Sequence, residues 1–228
     1  MNVIPQGVKD GFAQGVLPLS RALLRAQVSP NAITTVGFFV FLGSAAAFAA
    51  GYVRLGAFLL LCCGLVDVLD GQVARQGGMV TAFGGFYDST LDRVGEGALF
   101  TGIALFFLRG GVPPALQAPA VALTMVAVVA SLLVSYTRAR AEALGFDCKV
   151  GLAARAERVF ALGFPPLVFG AGPEGRLLFW IIALLALASA VTVVQRVLHV
   201  ARMTRGAAPA PRHRATLTGH APALRKGP

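Results

Sequence analysis

At 228 residues the chain suffices for one domain, but 56% of its residues are apolar and only 13% charged, against about a quarter charged in ordinary globular domains. This composition argues for a membrane environment. The net charge of +10 does not point to nucleic acid, because the basic residues flank apolar windows instead of forming a stripe, and no nucleic-acid partner is expected.

Residues 1–15 hold Lys9 and Asp10 and no apolar h-region, so no secretory signal is expected. Over residues 5–26, Val8, Phe12, Val16, Leu17, Leu19 and Leu23 alternate with Lys9, Arg21 and Arg25. This partly amphipathic pattern predicts an interfacial helix within residues 1–28, broken at Pro18. Ser29-Pro30-Asn31 reads as a helix start, with Ser29 as the cap and Pro30 in the first turn. Apolar windows then recur at Thr34–Val53, Leu55–Ala74, Phe83–Leu108, Pro114–Ser135, Ala156–Phe169 and Leu177–Met203. A bilayer core of about 30 Å needs roughly 20 helical residues. The window at Ala156–Phe169 is shorter, and Pro165–Pro166 predict a kink in it. The expectation is an all-α integral membrane protein: an N-terminal interfacial amphipathic helix at 1–28, then six transmembrane helices forming a catalytic domain at 29–203. Residues 204–228 read as a basic disordered tail, either solvated or touching anionic membrane lipids.

Six spans with the N-terminus inside place sixteen lysines and arginines on cytoplasmic segments and three, Arg54, Arg109 and Arg176, outside. This bias puts both termini in the cytoplasm. No internal repeat suggests an inverted-repeat transporter. Cys62 and Cys63 lie in an apolar run and Cys148 in a loop; with no CxxC pair, neither a disulfide framework nor a zinc site is expected.

Five of the ten acidic residues, Asp67, Asp70, Asp88, Asp92 and Glu96, fall within thirty residues flanked by apolar sequence. An ionised side chain at mid-membrane costs about 2.5–3.5 kcal/mol on insertion scales, so four together need compensation. Asp67 and Asp70 share a helix face at i, i+3, and Asp88 and Asp92 share one at i, i+4. On consecutive antiparallel helices the four can converge near the cytoplasmic end. Clustered carboxylates suit hard cations such as Mg²⁺ or Mn²⁺. Between them, glycines allow close backbone approach and Arg75 offers a planar cation, a combination suited to a diphosphate.

Asp67-Val-Leu-Asp70-Gly71-Gln-Val-Ala74-Arg75, then eight residues, then Gly84-Gly-Phe-Tyr-Asp88-Ser-Thr-Leu-Asp92 resembles the signature of the CDP-alcohol phosphotransferase family, D-x2-D-G-x2-A-R-x8-G-x3-D-x3-D, with all eight fixed positions present. The resemblance implies a multi-pass enzyme of the cell membrane with its active site facing the cytoplasm, acting as a homodimer in phospholipid biosynthesis. It implies a two-metal site in which Asp67, Asp70 and Asp88 bind one ion and Asp67, Asp88 and Asp92 take part at the second. It further implies Asp92 as the general base and Gly71, Ala74, Arg75 and Gly84 as the lining of the pocket for CDP-diacylglycerol. The acceptor oxygen would attack the β-phosphorus and release CMP. Glu96 lies outside the signature, with second-layer and packing roles both open.

Three further stretches carry arginines on the expected cytoplasmic side: Ser135–Glu142, Ala154–Arg158 and Gln195-Arg196. They resemble the matching parts of bacterial phosphatidylinositol-phosphate synthases, as does Asp88–Arg93. That resemblance implies inositol 1-phosphate as acceptor, its phosphate held by Arg138, Arg155 or Arg158, and Arg196. The sequence departs from the subgroup in carrying Arg138 where lysine is frequent and Ala154 where a second acid is frequent. Glycerol 3-phosphate is the main rival acceptor. Outside this chemistry, the acidic cluster could serve a cation transporter or a purely structural metal site; Arg75 beside a cation path argues against the former.

Overall fold

The computed structural model describes residues 6–148, 150–151 and 155–205, with side chains described from Gly15 onward. Among them the regular structure is entirely helical. Helix α1 spans Gln6–Arg25. It runs on through Pro18 where a break was expected. The proline removes one helical hydrogen bond, but the helix is anchored on both sides of it: Val16, Leu23 and Leu24 pack with Leu69 and Val73 of the helix beneath. The basic tail expected over 204–228 lies outside the described residues, apart from Thr204 and Arg205.

Six longer elements follow: α2 (Pro30–Ala49), α3 (Val53–Gln76), α4 (Ala82–Phe106), α5 (Pro114–Ala143), α6 (Arg155–Phe169) and α7 (Arg176–Thr204). Ser29 caps α2, its Oγ accepting from the amide of Ala32 at 3.3 Å, with Pro30 at the first helical position. The helix stops at Ala49, four residues before the apolar window ends, because the chain turns through Gly51 at φ +87°. A short π turn at Phe107–Gly111 leads into α5, and a 3₁₀ turn at Pro173–Gly175 into α7. Helix α6 carries Pro165 and Pro166 inside its last two turns without an interruption.

Pro30–Ala49, Pro114–Ala143 and Pro173–Thr204 are long and apolar enough to cross a membrane by themselves. Helices α3 and α4 match them in length, at 24 and 25 residues, but carry the acidic cluster; α6 has 15 residues.

Helix α2 packs on α3 and α4, α3 on α6, and α5 on α7. Phe41, Phe48, Leu60, Phe100, Ile103, Phe107, Ala127, Leu162, Leu178 and Ile182 fill one core shared by all six. Helices α2 and α4 cross so closely that a Cβ at Gly102 would collide with the Ala45 carbonyl. Ser44 Oγ donates to the Gly56 carbonyl at 2.7 Å, tying α2 to α3. These contacts fix the α2–α3–α4 layer. Because successive helices run in opposite directions, the start of α2, the end of α3 and the starts of α4 and α6 meet at one end of the bundle.

Candidate active site

At that end, α3 finishes and α4 begins across the turn 77–81. Thr81 caps α4, its Oγ1 accepting from the Gly84 amide at 2.9 Å. One oxygen from each of Asp67, Asp88 and Asp92 lies within 4.8 Å of the others, all three side chains half-buried. The i, i+4 pair on α4 thus faces α3, as the helical spacing requires. Asp70 stands beside them at 7% exposure, and its Oδ2 accepts from Thr34 Oγ1 of α2 at 2.7 Å. Thr35 Oγ1 and Tyr87 Oη lie 2.9 Å apart, joining α2 to α4 at the residue before Asp88. The aspartates therefore project from helices fixed on a third, α2. A small cleft beside them is lined by Thr34, Phe38, Phe41, Cys63, Asp67, Leu91 and Asp92.

Gly71, Ala74 and Arg75 follow one flank of the last turns of α3. Arg75 is exposed, and its guanidinium lies over Gly71, where a Cβ would stand 3.1 Å from Nη1. Across the turn, a Cβ on Gly84 would meet Thr81 Oγ1 at 3.0 Å and Asn31 Oδ1 at 3.3 Å. Both glycines keep a strip of backbone bare between Arg75 and the aspartates, the feature an elongated phosphate needs.

The four arginines that the sequence groups together occupy four different settings. Arg155, the first residue of α6, donates from Nη2 to Asp67 Oδ2 at 2.7 Å and from Nη1 to Asp92 Oδ2. It is the only one of the four paired with the aspartates among the described contacts. Arg158, one turn on, is 3% exposed and donates from Nε and Nη2 to Glu96 Oε1 at 2.9 and 2.8 Å. Arg196 of α7 donates to the backbone carbonyls of Val150, at 2.9 Å, and Val134, fastening α7 to the end of α5. Arg138 lies on the exposed end of α5 in an i, i+4 pair with Glu142 at 2.8 Å.

Thr34 as partner of Asp70, the Thr35–Tyr87 contact and the Ser131–Glu96–Arg158 group escaped the sequence reading. Thr34 and Thr35 begin an apolar window, where hydroxyls usually bond back to their own helix, as both also do here with Pro30 and Asn31. Glu96 lies beyond the signature where α4 turns apolar, and an acid so placed needs a basic partner; that is the signal by which an arginine such as Arg158 could have been sought.

Residues 27–195 match a protein-family model described as CDP-alcohol phosphatidyltransferase. The phosphatidylinositol phosphate synthase of Cutibacterium acnes is 38% identical over 202 residues, which cover 85% of this chain and 96% of that protein. A crystal structure of the phosphatidylinositol phosphate synthase of Mycobacterium tuberculosis with CDP-DAG bound superposes with a TM-score of 0.69 at 34% identity, covering 80% of this chain and 92% of that one. A second structure of that protein, in complex with manganese and citrate, superposes with a TM-score of 0.68 at 34% identity over 80% and 87% of the two chains.

Proposed function

The chain belongs to the CDP-alcohol phosphatidyltransferase family, and from that premise we propose that it transfers the phosphatidyl group of CDP-diacylglycerol to inositol 1-phosphate, releasing CMP, in phospholipid biosynthesis. The observation that carries this reading is the convergence of Asp67, Asp88 and Asp92 beside the bare strip of Gly71 and Gly84. The relatives named phosphatidylinositol phosphate synthase support the acceptor.

The donor set fits a hard divalent cation: it consists of carboxylate oxygens, and it already draws the Arg155 guanidinium onto Asp67 and Asp92. Asp67, Asp88 and Asp92, with Asp70 beside them, would hold Mg²⁺ or Mn²⁺. Bound there, such ions neutralise the diphosphate and stabilise the departing CMP. The rest is the work of this chain's side chains. Gly71, Ala74, Arg75 and Gly84 receive the cytidine diphosphate. Asp92 takes the proton from the acceptor hydroxyl. The freed oxygen bonds to the β-phosphorus, and the bond between that phosphorus and the oxygen of CMP breaks. Arg155, which reaches Asp67 and Asp92, is the arginine assigned to the acceptor phosphate, which its guanidinium fork suits.

In this reading all six of α2–α7 cross the cell membrane and α1 lies in the interface. The site and both termini face the cytoplasm, in keeping with the distribution of lysine and arginine. The active form is a homodimer.

The test is CMP release by purified protein in detergent with CDP-diacylglycerol and Mg²⁺, comparing inositol 1-phosphate, glycerol 3-phosphate, free inositol and serine. Turnover confined to inositol 1-phosphate is expected. Turnover with another acceptor would retain the family chemistry and overturn the acceptor.

A further inference from the structure

Glu96 is the fifth acid of the α3–α4 stretch and lies four residues past the last aspartate. It is 8% exposed and points into the bundle between α4, α5 and α6. Its Oε1 accepts from Ser131 Oγ of α5 at 2.5 Å and from Arg158 Nε and Nη2 of α6 at 2.9 and 2.8 Å. Its Oε2 makes no hydrogen bond and faces Arg93 Nη1 at 4.0 Å. Arg93 in turn lies 3.4 Å from Asp92 Oδ2. A line of alternating charge therefore runs from the core to the mouth: Arg158, Glu96, Arg93, Asp92, Arg155, Asp67.

Stability does not account for such a pair. Desolvating each ion costs several kcal/mol, and well-packed apolar side chains of similar size frequently hold helices together as well or better. What the fork of Arg158 on one carboxylate oxygen supplies is a fixed setting of α6, in rotation and along its axis. Among the described residues α6 is the shortest of the six, at 15 residues, and so has the least length over which packing alone can set its register. Arg158 and Arg155 are i, i+3 on α6 and share a face, and both line the cavity that also contains Glu96. Where Arg158 is held decides where Arg155 stands.

We propose that Glu96 is a positioning residue of the transfer reaction: by fixing Arg158 it holds α6 in the register that presents Arg155 to the acceptor beside Asp67 and Asp92. Glu96 touches no substrate. This inference rests on the reading that Arg155 receives the acceptor phosphate. It also divides the two arginines of α6, making Arg155 the ligand and Arg158 its support.

The experiment measures both Michaelis constants of Glu96→Gln and of the paired variant Glu96→Leu with Arg158→Met, with wild type as control. Glu96→Gln keeps the shape and an acceptor oxygen but removes the charge. Its KM for inositol 1-phosphate should rise about tenfold, the difference between a charge-assisted and a neutral hydrogen bond. Its KM for CDP-diacylglycerol should stay unchanged, because Gly71, Ala74, Arg75 and Gly84 belong to α3 and α4 and do not touch the group. The paired variant should melt near the wild-type temperature yet share the raised acceptor KM. A paired variant that binds acceptor normally would make Glu96 and Arg158 a packing pair only and overturn the proposal. If that variant does not fold, Glu96→Gln decides alone, and equal rises in both Michaelis constants, or none, would overturn it. Failure of the underlying reading looks different: Arg155→Ala, measured alongside, would leave the KM for inositol 1-phosphate intact, or wild type itself would release no CMP with that acceptor.

Discussion

The carboxylates of the site come from two helices joined by the turn 77–81, whereas the arginines nearest to them in sequence logic come from α5, α6 and α7. The first set converges: Asp67, Asp88 and Asp92 bring oxygens within 4.8 Å. The second disperses, to aspartates, to Glu96, to backbone carbonyls and to an exposed partner. A short side chain on a helix goes where its backbone points, so spacing decides its place. A long guanidinium reaches whatever acceptor lies nearest, so tertiary packing decides. In a membrane protein the difference is sharper, because a buried cation without an anion is costly.

If that contrast is correct, the two sets should respond differently to substitution. Asp92→Asn should lower the rate of CMP release at saturating Mg²⁺ and CDP-diacylglycerol by about 10²–10⁴-fold, the contribution of a positioned general base. A loss confined to KM would reassign Asp92 to binding. Next in size, Arg155→Ala should raise the KM for inositol 1-phosphate by about 10- to 100-fold, as the loss of charge-assisted hydrogen bonds implies. A KM left intact would show that Arg155 serves only as counter-ion to Asp67 and Asp92. Thr34→Val removes the donor to Asp70 Oδ2 with little change of shape. Partners of metal-binding carboxylates are worth about 10- to 100-fold in metal affinity; since Asp70 keeps its second oxygen, the half-saturating Mg²⁺ concentration should rise by about tenfold, at the lower end. An unchanged Mg²⁺ requirement would mean that α2 does not orient Asp70.

The same contrast explains which features could be read from the chain. The convergence of Asp67, Asp88 and Asp92 was legible because helical spacing and one short turn are local facts. Ser29 as the cap of α2 was legible for the same reason. Helix α2 ends before the apolar window reaches Val53, because hydropathy continues past the turn that Gly51, at positive φ, marks. The break expected at Pro18 does not occur, because the contacts of α1 on Leu69 and Val73 offset the hydrogen bond that the proline removes. The pairing of Glu96 with Arg158 spans 62 residues. No periodicity encodes a contact of that kind; only the rule that a buried charge must have a partner points toward it.

Arg138 gives the smallest effect and the sharpest check on the contrast. Its side chain and that of Glu142 are each about half exposed, at 49% and 46%. Exposed pairs of this kind contribute about 0.2–1 kcal/mol. For Arg138 to bind a phosphate it must leave Glu142, exchanging one solvated partner for another, so the net gain is small. Arg138→Ala should therefore raise the acceptor KM by about fivefold at most, well below Arg155→Ala. Glu142→Gln separates recruitment from indifference: if the acceptor recruits Arg138, releasing it from Glu142 lowers the KM, and if not, the KM stays put. Should Arg138→Ala exceed Arg155→Ala, the acceptor site would centre on α5, and the arginine that pairs with the aspartates would be a counter-ion and not a ligand.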